Sequence, residues 1–260
     1  MLESKNISDW YTINAIKDSI PLSYKKLNSL IKKSVKNSHK LIKLLDVRGQ
    51  RFMGAGLECS GNDPIELEIH GIPGNDLGIF MDGPRIIVKG NAEDQIGNTM
   101  NSGTIIVEGD CRDVAGLSMR GGKIYVKGNA GYRIGIHMKE YRDQIPIIVI
   151  GGKAKEFFGE YMAGGILIAL SLKFDNSHVS NYEHFISPNL ASGIHGGKIY
   201  VRGEVSDNDL GIGTVKSTLT EEDYKCLRPI IKEYCSIFNI EENFIWDKTF
   251  NKIIPGSHRP

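Results

Sequence analysis

Glycine recurs at a fixed interval through the middle of the chain, and this interval limits the possible folds more than any other feature. Each glycine follows four residues rich in aliphatic and β-branched side chains, as in the segment 86–89 before Gly90. The first three intervals are 19 residues and the fourth is 23. The series consists of Gly71, Gly90, Gly109, Gly128, Gly151 and, after a degenerate copy, Gly203. A repeat of this length indicates a repetitive architecture.

A second glycine series keeps phase with the first. It lies seven residues after the first series, and eight after it in the last copy. Its members are Gly78, Gly97, Gly116, Gly135 and Gly159. A methionine follows three residues later in every copy, and a thioether suits the irregular gaps of a core. We interpret both glycine series as corners, because glycine adopts positive φ without steric cost.

The four-residue segments have the β-branched composition and the glycine boundaries of short strands. One copy is too short to bury an apolar face alone, so successive copies must stack. These features predict a mainly β fold with flanking α-helices. The predicted architecture is a parallel β-helix, a single-stranded solenoid with coils of about 19 residues.

Alternate positions of each strand segment face opposite sides of a sheet. The first and third positions are aliphatic in every clean copy, for example Ile147 and Val149, and are predicted to point inward. The second and fourth positions are predicted to point outward. This arrangement places Lys89 beside Glu108 on neighbouring strands, where opposite charges attract.

The outward second position is also apolar in every copy after the first. Its residues are Glu68, Ile87, Ile106, Tyr125, Ile148, Ile168 and Tyr200. An extended apolar stripe on a surface usually lies against something that covers it. A helix of this chain and another subunit are both candidates, and the sequence leaves the choice open.

The flanking segments contain two helix signals. Ser23 can cap a helix over residues 24–33, and Thr220 begins a capping pattern before a second amphipathic stretch. The predicted organisation is an α/β cap segment over residues 1–50, a repeat domain over 51–215, and a C-terminal helix and tail over 216–260. The polar segment 175–181 is predicted to be a loop.

The repeat units at 71–83, 90–100 and 159–165 resemble those of the GXGXG family. That family includes the C-terminal domain of the glutamate synthase large subunit and one of the subunits of formylmethanofuran dehydrogenase. The resemblance covers about residues 50–215, and the flanks, including 257–260, look like a stand-alone glutamate synthase version whose large subunit is split into separate chains. It implies a right-handed β-helix that packs against catalytic domains and supplies no catalytic residue.

Composition and motifs argue against several other functions. The 32 Lys and Arg balance 31 Asp and Glu, so no nucleic-acid partner is expected. No apolar run reaches the ~20 residues of a membrane helix, and we expect a cytoplasmic protein. The four cysteines are scattered, and neither G-x-S-x-G nor G-x-G-x-x-G occurs. We therefore predict no catalytic, cofactor-binding or metal-binding residue in this chain.

The segment 139–143 interrupts the 19-residue count. Insertions in repeat proteins map to loops on one face, which often binds a partner. The candidate interface consists of His137, Lys139, Glu140, Tyr141 and Arg142, together with the outward-facing Tyr125 and Tyr200. A plain surface loop is the alternative.

The predicted function is that of a non-catalytic structural or assembly subunit of a split glutamate synthase. The resemblance implies FMN-binding and glutamine amidotransferase subunits as partners, with FMN and iron–sulfur clusters on those partners rather than here. A homo-oligomer is also compatible with the sequence. The alternatives are a scaffold similar to the GXGXG-containing subunit of formylmethanofuran dehydrogenase and, on fold grounds, a β-helix acyltransferase or hydrolase.

Overall fold

The computed structural model describes residues 10–59, 64–175, 178–182, 185 and 187–256. The strands in these residues are β1 (Tyr11–Asn14), β2 (Ile16–Lys17), β3 (Ile20–Pro21), β4 (Leu41–Arg48), β5 (Glu66–Ile72), β6 (Arg85–Val88), β7 (Thr104–Val107), β8 (Lys123–Val126), β9 (Ile147–Ile150), β10 (Ala163–Ala169), β11 (Leu172–Asp175), β12 (His178–Asn181), β13 (Gly196–Arg202), β14 (Thr214–Ser217) and β15 (Phe250–Pro255). The helices are α1 (Tyr24–Lys36), α2 (Glu221–Phe238) and α3 (Glu242–Trp246).

The principal sheet corrects the predicted fold. In the described part of the chain it has 11 strands in the order β1-β4-β5-β6-β7-β8-β9-β10-β13-β15-β14. The pairs from β1 to β13 are parallel, whereas β13–β15 and β15–β14 are antiparallel. The protein is therefore a mixed sheet with helices, an α/β-like layout, and not a right-handed parallel β-helix. The reversal arises because the chain crosses α2 and α3 before β15 returns alongside β13.

The pairing register follows the glycine spacing over most of the parallel strands. Ile86 pairs with Ile105, and Ile105 pairs with Ile124, each a step of 19 residues. The predicted charge pair is confirmed, with Lys89 Nζ 2.5 Å from Glu108 Oε1.

The fifth repeat is shifted by one residue from its predicted register. Ile124 pairs with Ile148, so the inward side chains are Ile148 and Ile150 rather than Ile147 and Val149. A one-residue shift exchanges the two faces of a strand. The sequence did not reveal the shift because the residues from Ile147 to Ile150 are all aliphatic and show no alternation.

The main core lies between the inner face of the sheet and the turns that connect its strands. The five methionines that recur in the repeats are fully buried there, as the sequence predicted: Met81, Met100, Met119, Met138 and Met162. Met53, which the repeat pattern did not include, is fully buried as well. The turns are hydrogen-bonded from one repeat to the next, for example from Gly116 N to Ile96 O at 2.8 Å. α1 adds Leu27 and Ile31 to this core.

α2 covers much of the apolar stripe on the outer face of the sheet. Leu227, Ile231 and Tyr234 of α2 form a second core with outward-facing sheet residues such as Ile106 and Ile168. This packing answers the question that the sequence left open, because a helix of the same chain lies over these strands. The predicted loop at 175–181 is also corrected, since β11 and β12 form an antiparallel hairpin.

Candidate functional site

The insert that interrupts the repeat count is presented to solvent. Every residue over 139–145 is exposed, and the exposed fractions of Tyr141 and Ile145 are 47% and 49%. The backbones of Tyr141 and Gln144 exchange hydrogen bonds of 3.2 and 3.1 Å, which close the loop. The Arg142 guanidinium lies 5.1 Å from the centroid of the Tyr141 ring.

Two hydrogen bonds attach the beginning of the insert to neighbouring repeats. Lys139 N donates to Met119 O at 3.0 Å. Gly165 N donates to Glu140 Oε1 at 2.9 Å. The first two residues therefore anchor the insert, and the residues that follow project an aromatic ring and a cation from a fixed base.

Next to the insert, a second group of exposed side chains is ordered by stacking. The His137 ring lies parallel to the Tyr161 ring, with centroids 5.5 Å apart and an interplanar angle of 8°. Both residues are exposed. We call His137, Tyr141, Arg142 and Tyr161 the insert face. Tyr and Arg are enriched in protein–protein interfaces, so this composition suits a partner.

The two tyrosines predicted at the interface lie elsewhere. Tyr125 and Tyr200 are both 0% exposed and lie beneath α2. The Tyr125 centroid is 6.3 Å from that of Tyr234. Burial, with a hydrogen bond to Asp223, raises the pKa of Tyr200 well above its usual value. These two rings belong to the core of this chain, and the exposed candidates are those of the insert and His137.

The two glycine series serve different purposes. The second series has positive φ throughout, for example 73° at Gly116, where a Cβ would also overlap Ile148 Cδ1. In the first series Gly71 and Gly203 have positive φ, whereas Gly90, Gly109, Gly128 and Gly151 do not. At Gly128 the reason for glycine is close approach, because a Cβ would overlap Asp110 Oδ1.

Stacked Asn and Asp side chains bond the turns of successive repeats together. Asp110 N donates to Asn91 Oδ1 at 2.9 Å, and Asn129 N donates to Asp110 Oδ1 at 2.7 Å. A second hydrogen bond of the same kind joins the same two repeats, with Asp113 N donating to Asp94 Oδ1 at 3.2 Å. These side chains accept backbone hydrogen bonds, which is a structural role.

Asp223 fastens α2 to the sheet. Its carboxylate is 0% exposed and accepts hydrogen bonds from Lys252 Nζ (2.7 Å), Tyr200 Oη (2.6 Å) and Lys198 Nζ (3.2 Å). It also completes the capping box with Thr220. Burial by itself raises the pKa of Asp223, but the hydrogen bonds outweigh it and hold the pKa well below its usual range. The capping pattern was visible in the sequence, whereas the buried contacts were not.

Arg202 fastens the segment after α2 in a similar way. The residue is fully buried, its Nε donates to Ile245 O at 2.7 Å, and its Nη2 donates to Phe244 O at 2.9 Å. It also forms an ion pair with Asp247. Burial lowers the pKa of Arg202, and Asp247 opposes that shift. Every polar contact named here holds the fold together.

Neither a metal centre nor a membrane segment emerges from the described residues. No group of three or more His, Cys, Asp and Glu side chains in them could hold a metal ion. No helix among them is both long and apolar enough to cross a bilayer. Burial, with the nearby charges of Asp110 and Asp113, raises the pKa of the Cys111 thiol to about 12.

Comparison with known proteins identifies the family. A family model described as the GXGXG motif matches residues 13–255. The chain belongs to the GXGXG family. It is also similar to the protein of Methanocaldococcus jannaschii named "Uncharacterized protein MJ1350", with 48% identity over 248 residues. That alignment covers 94% of this chain and 93% of the relative.

The GXGXG match extends beyond the repeats themselves. It includes the end of β1 and all of β15, so the terminal strands belong to the same family unit as the repeats. The insert face lies within the matched region. It is an exposed, aromatic and basic surface of this family member.

Proposed function

We propose that this chain is a non-catalytic assembly subunit of a split glutamate synthase. Glutamine and 2-oxoglutarate are converted to glutamate on partner subunits, a glutamine amidotransferase chain and an FMN-binding chain. FMN and the iron–sulfur clusters that carry reducing electrons belong to those partners. Membership of the GXGXG family supports this role, together with the resemblance of the repeats to the glutamate synthase C-terminal domain.

The main support for a non-catalytic role is that the buried polar residues of the described structure serve to hold the fold together. Asp223 and Arg202, the most deeply buried charged groups, are occupied by hydrogen bonds that hold α2 and α3 in place. The Asn and Asp ladders are occupied by backbone amides. These groups do not form a nucleophile with an adjacent base, which is a common arrangement for covalent catalysis.

The insert face supplies the contact surface that an assembly subunit requires. It combines Tyr141 and Tyr161 with the Arg142 guanidinium, and its base is fixed by hydrogen bonds to neighbouring repeats. Because the insert is anchored before binding, little conformational entropy is lost when a partner docks. We place the contact with a catalytic chain here.

The test is purification of the tagged full chain from its native host. The proposal expects an FMN protein and a glutamine amidotransferase to co-purify. The double variant Y141A/R142E should lower their recovery at least about tenfold, because interface aromatics and arginines carry most of the binding energy. The matched control Y132A/R112E changes another exposed Tyr and Arg and should leave recovery unchanged. Recovery of only a molybdenum or tungsten protein would refute the proposal.

A further inference from the structure

The near-neutral net charge conceals two oppositely charged ends. Residues 10–56 contain ten Lys and Arg against two Asp, a net charge of +8. Residues 204–247 contain ten Asp and Glu against four Lys and Arg, a net charge of −6. β1 and β4 of the basic segment lie at one end of the sheet order, and β14 of the acidic segment lies at the other. A partner of one charge would thus be steered to one end.

α1 concentrates the basic charge. It carries five lysines and no acidic residue: Lys25, Lys26, Lys32, Lys33 and Lys36. All five are exposed, because the opposite side of the helix packs Leu27 and Ile31 into the core. None of them forms an ion pair with a carboxylate of the described residues. The positive charge of this helix therefore has no compensation within that part of the chain.

A groove of about 650 Å³ runs beside α1 and joins four of these lysines to an aromatic surface. It is lined by Lys25, Lys32, Lys33 and Lys36, by Asn28 and Ser29, and by Tyr24, Phe52 and Ala55. The Tyr24 and Phe52 rings lie 5.8 Å apart, and Tyr24 is 40% exposed. The groove offers cations along one wall and an apolar surface between them.

We propose that this groove, the α1 groove, binds an acidic polypeptide segment of a different protein, with an apolar side chain of that segment on Tyr24 and Phe52. The cation spacing suits an extended chain. At a rise of ~1.5 Å per residue along the helix axis, Lys25 lies ~10.5 Å from Lys32, and Lys32 lies ~6 Å from Lys36. Three residues of an extended strand span ~10 Å, which matches the first distance, and two residues span ~6.6 Å, which matches the second.

A second copy of this chain is a poorer occupant than a different protein. Four of the ten carboxylates of the acidic segment already form ion pairs within the chain: Asp207 with Lys216, Asp223 with Lys252, Glu233 with Lys123 and Asp247 with Arg202. These carboxylates would have to leave their present partners before they could reach α1 of another copy.

Nucleic acid is also a poorer occupant. The chain as a whole carries a net charge of only +1, whereas a nucleic-acid-binding domain usually shows a strong basic excess. The α1 groove is separate from the insert face, so this inference stands apart from the proposed function.

The experiment measures anisotropy of a fluorescein-labelled probe peptide, Glu-Phe-Ser-Glu-Ser-Glu, with the full chain. Binding should weaken at least about tenfold for K25E/K32E/K36E and also for K25Q/K32Q/K36Q, which keeps the side-chain length similar. The control R120E/K225E/K232E makes the same change in net charge at exposed positions elsewhere and should leave binding within about twofold. Circular dichroism should show all three variants folded, since the changed residues are exposed.

Four results would overturn the inference. An equal loss in the control would show attraction to net charge alone. Equal affinity for the peptide with Ser in place of Phe would remove the aromatic surface from the site. Tighter binding of a labelled oligouridylate, or self-association in sedimentation that K25E/K32E/K36E abolishes, would assign the groove to RNA or to a second copy.

Discussion

Replacement of Asp223 by Asn tests how α2 is held on the sheet. The variant removes one negative charge from a carboxylate that Lys252, Lys198 and Tyr200 contact at 2.6–3.2 Å. The side chain of Lys252 is only 12% exposed and would be left largely unpaired. Breaking a buried pair costs ~3–5 kcal/mol, and water can reach part of Lys198, so we expect a loss of ~3–4 kcal/mol of unfolding free energy.

The same replacement has a defined effect on pH dependence. The pKa of Asp223 is lower in the folded protein than in the unfolded chain. Its contribution to stability is therefore complete above the unfolded value of ~3.9 and is lost as the pH falls through the folded value. The wild-type protein should lose stability more steeply than D223N as the pH falls below ~4.

Urea unfolding followed by circular dichroism measures both effects, with E222Q as the control. Glu222 is the exposed neighbour on the same turn, and its replacement should change stability by less than ~0.5 kcal/mol. A loss below ~1 kcal/mol in D223N, with an acid dependence equal to that of the wild type, would show that the contacts of Asp223 contribute little to stability. That result would mean that apolar packing alone holds α2 in place.

Three further experiments, two with variants and one with chemical labelling, test other parts of the structure. I105D should lower the free energy of unfolding in urea by more than ~4 kcal/mol, because it places a charge at a 0% exposed position. The control T104D, at the adjacent outward position, should lower it by less than ~1 kcal/mol. Similar losses in the two variants would contradict the inward orientation of Ile105. R202M should lower the free energy of thermal unfolding by ~3–5 kcal/mol, whereas the control R228M, at an exposed position, should lower it by less than ~1 kcal/mol. Equal losses in the two variants would show that the buried hydrogen bonds of Arg202 do not stabilise the fold. Burial raises the pKa of the Cys111 thiol to about 12, so Cys111 should resist iodoacetamide at pH 8 in the folded protein and react in urea. Mass spectrometry measures the labelling, and modification of Cys111 in the folded protein would contradict its burial.

The glycine spacing predicted the strand pairing well because it reports a local periodicity. It placed Ile105 opposite Ile86 and Ile124, and it placed Lys89 beside Glu108. The register was missed only in the fifth repeat, where an uninterrupted aliphatic run carries no signal about which side chains point inward.

The fold as a whole could not be predicted in this way because it depends on contacts between distant segments. A periodic pattern carries no information about where the chain reverses, so the antiparallel return of β15 was missed. Arg202 occupies a position predicted to face outward, yet α3 and its flanking residues bury it completely. Tyr200 was placed at a partner interface for the same reason, because the sequence did not show which apolar surface α2 covers.

The candidate site was predictable where it depended on the repeat count. The insert at 139–143 stands out as an interruption, and the structure places these residues at the surface. Tyr161 was not predicted, since it lies one residue before the recurring methionine of the repeat and has no unusual spacing. Its stacking on His137 is a contact between neighbouring repeats, 24 residues apart.

Reconstitution of the enzyme from separate chains shows whether this chain acts as an assembly subunit. Purified FMN-binding and amidotransferase chains are mixed with glutamine, 2-oxoglutarate and a reductant, and glutamate formation is followed with and without this chain. We expect that this chain alone produces no glutamate, that it restores or raises the activity of the partners, and that Y141A/R142E fails to do so. Full activity of the partners without this chain, or turnover by this chain alone, would rule out the role of an assembly subunit.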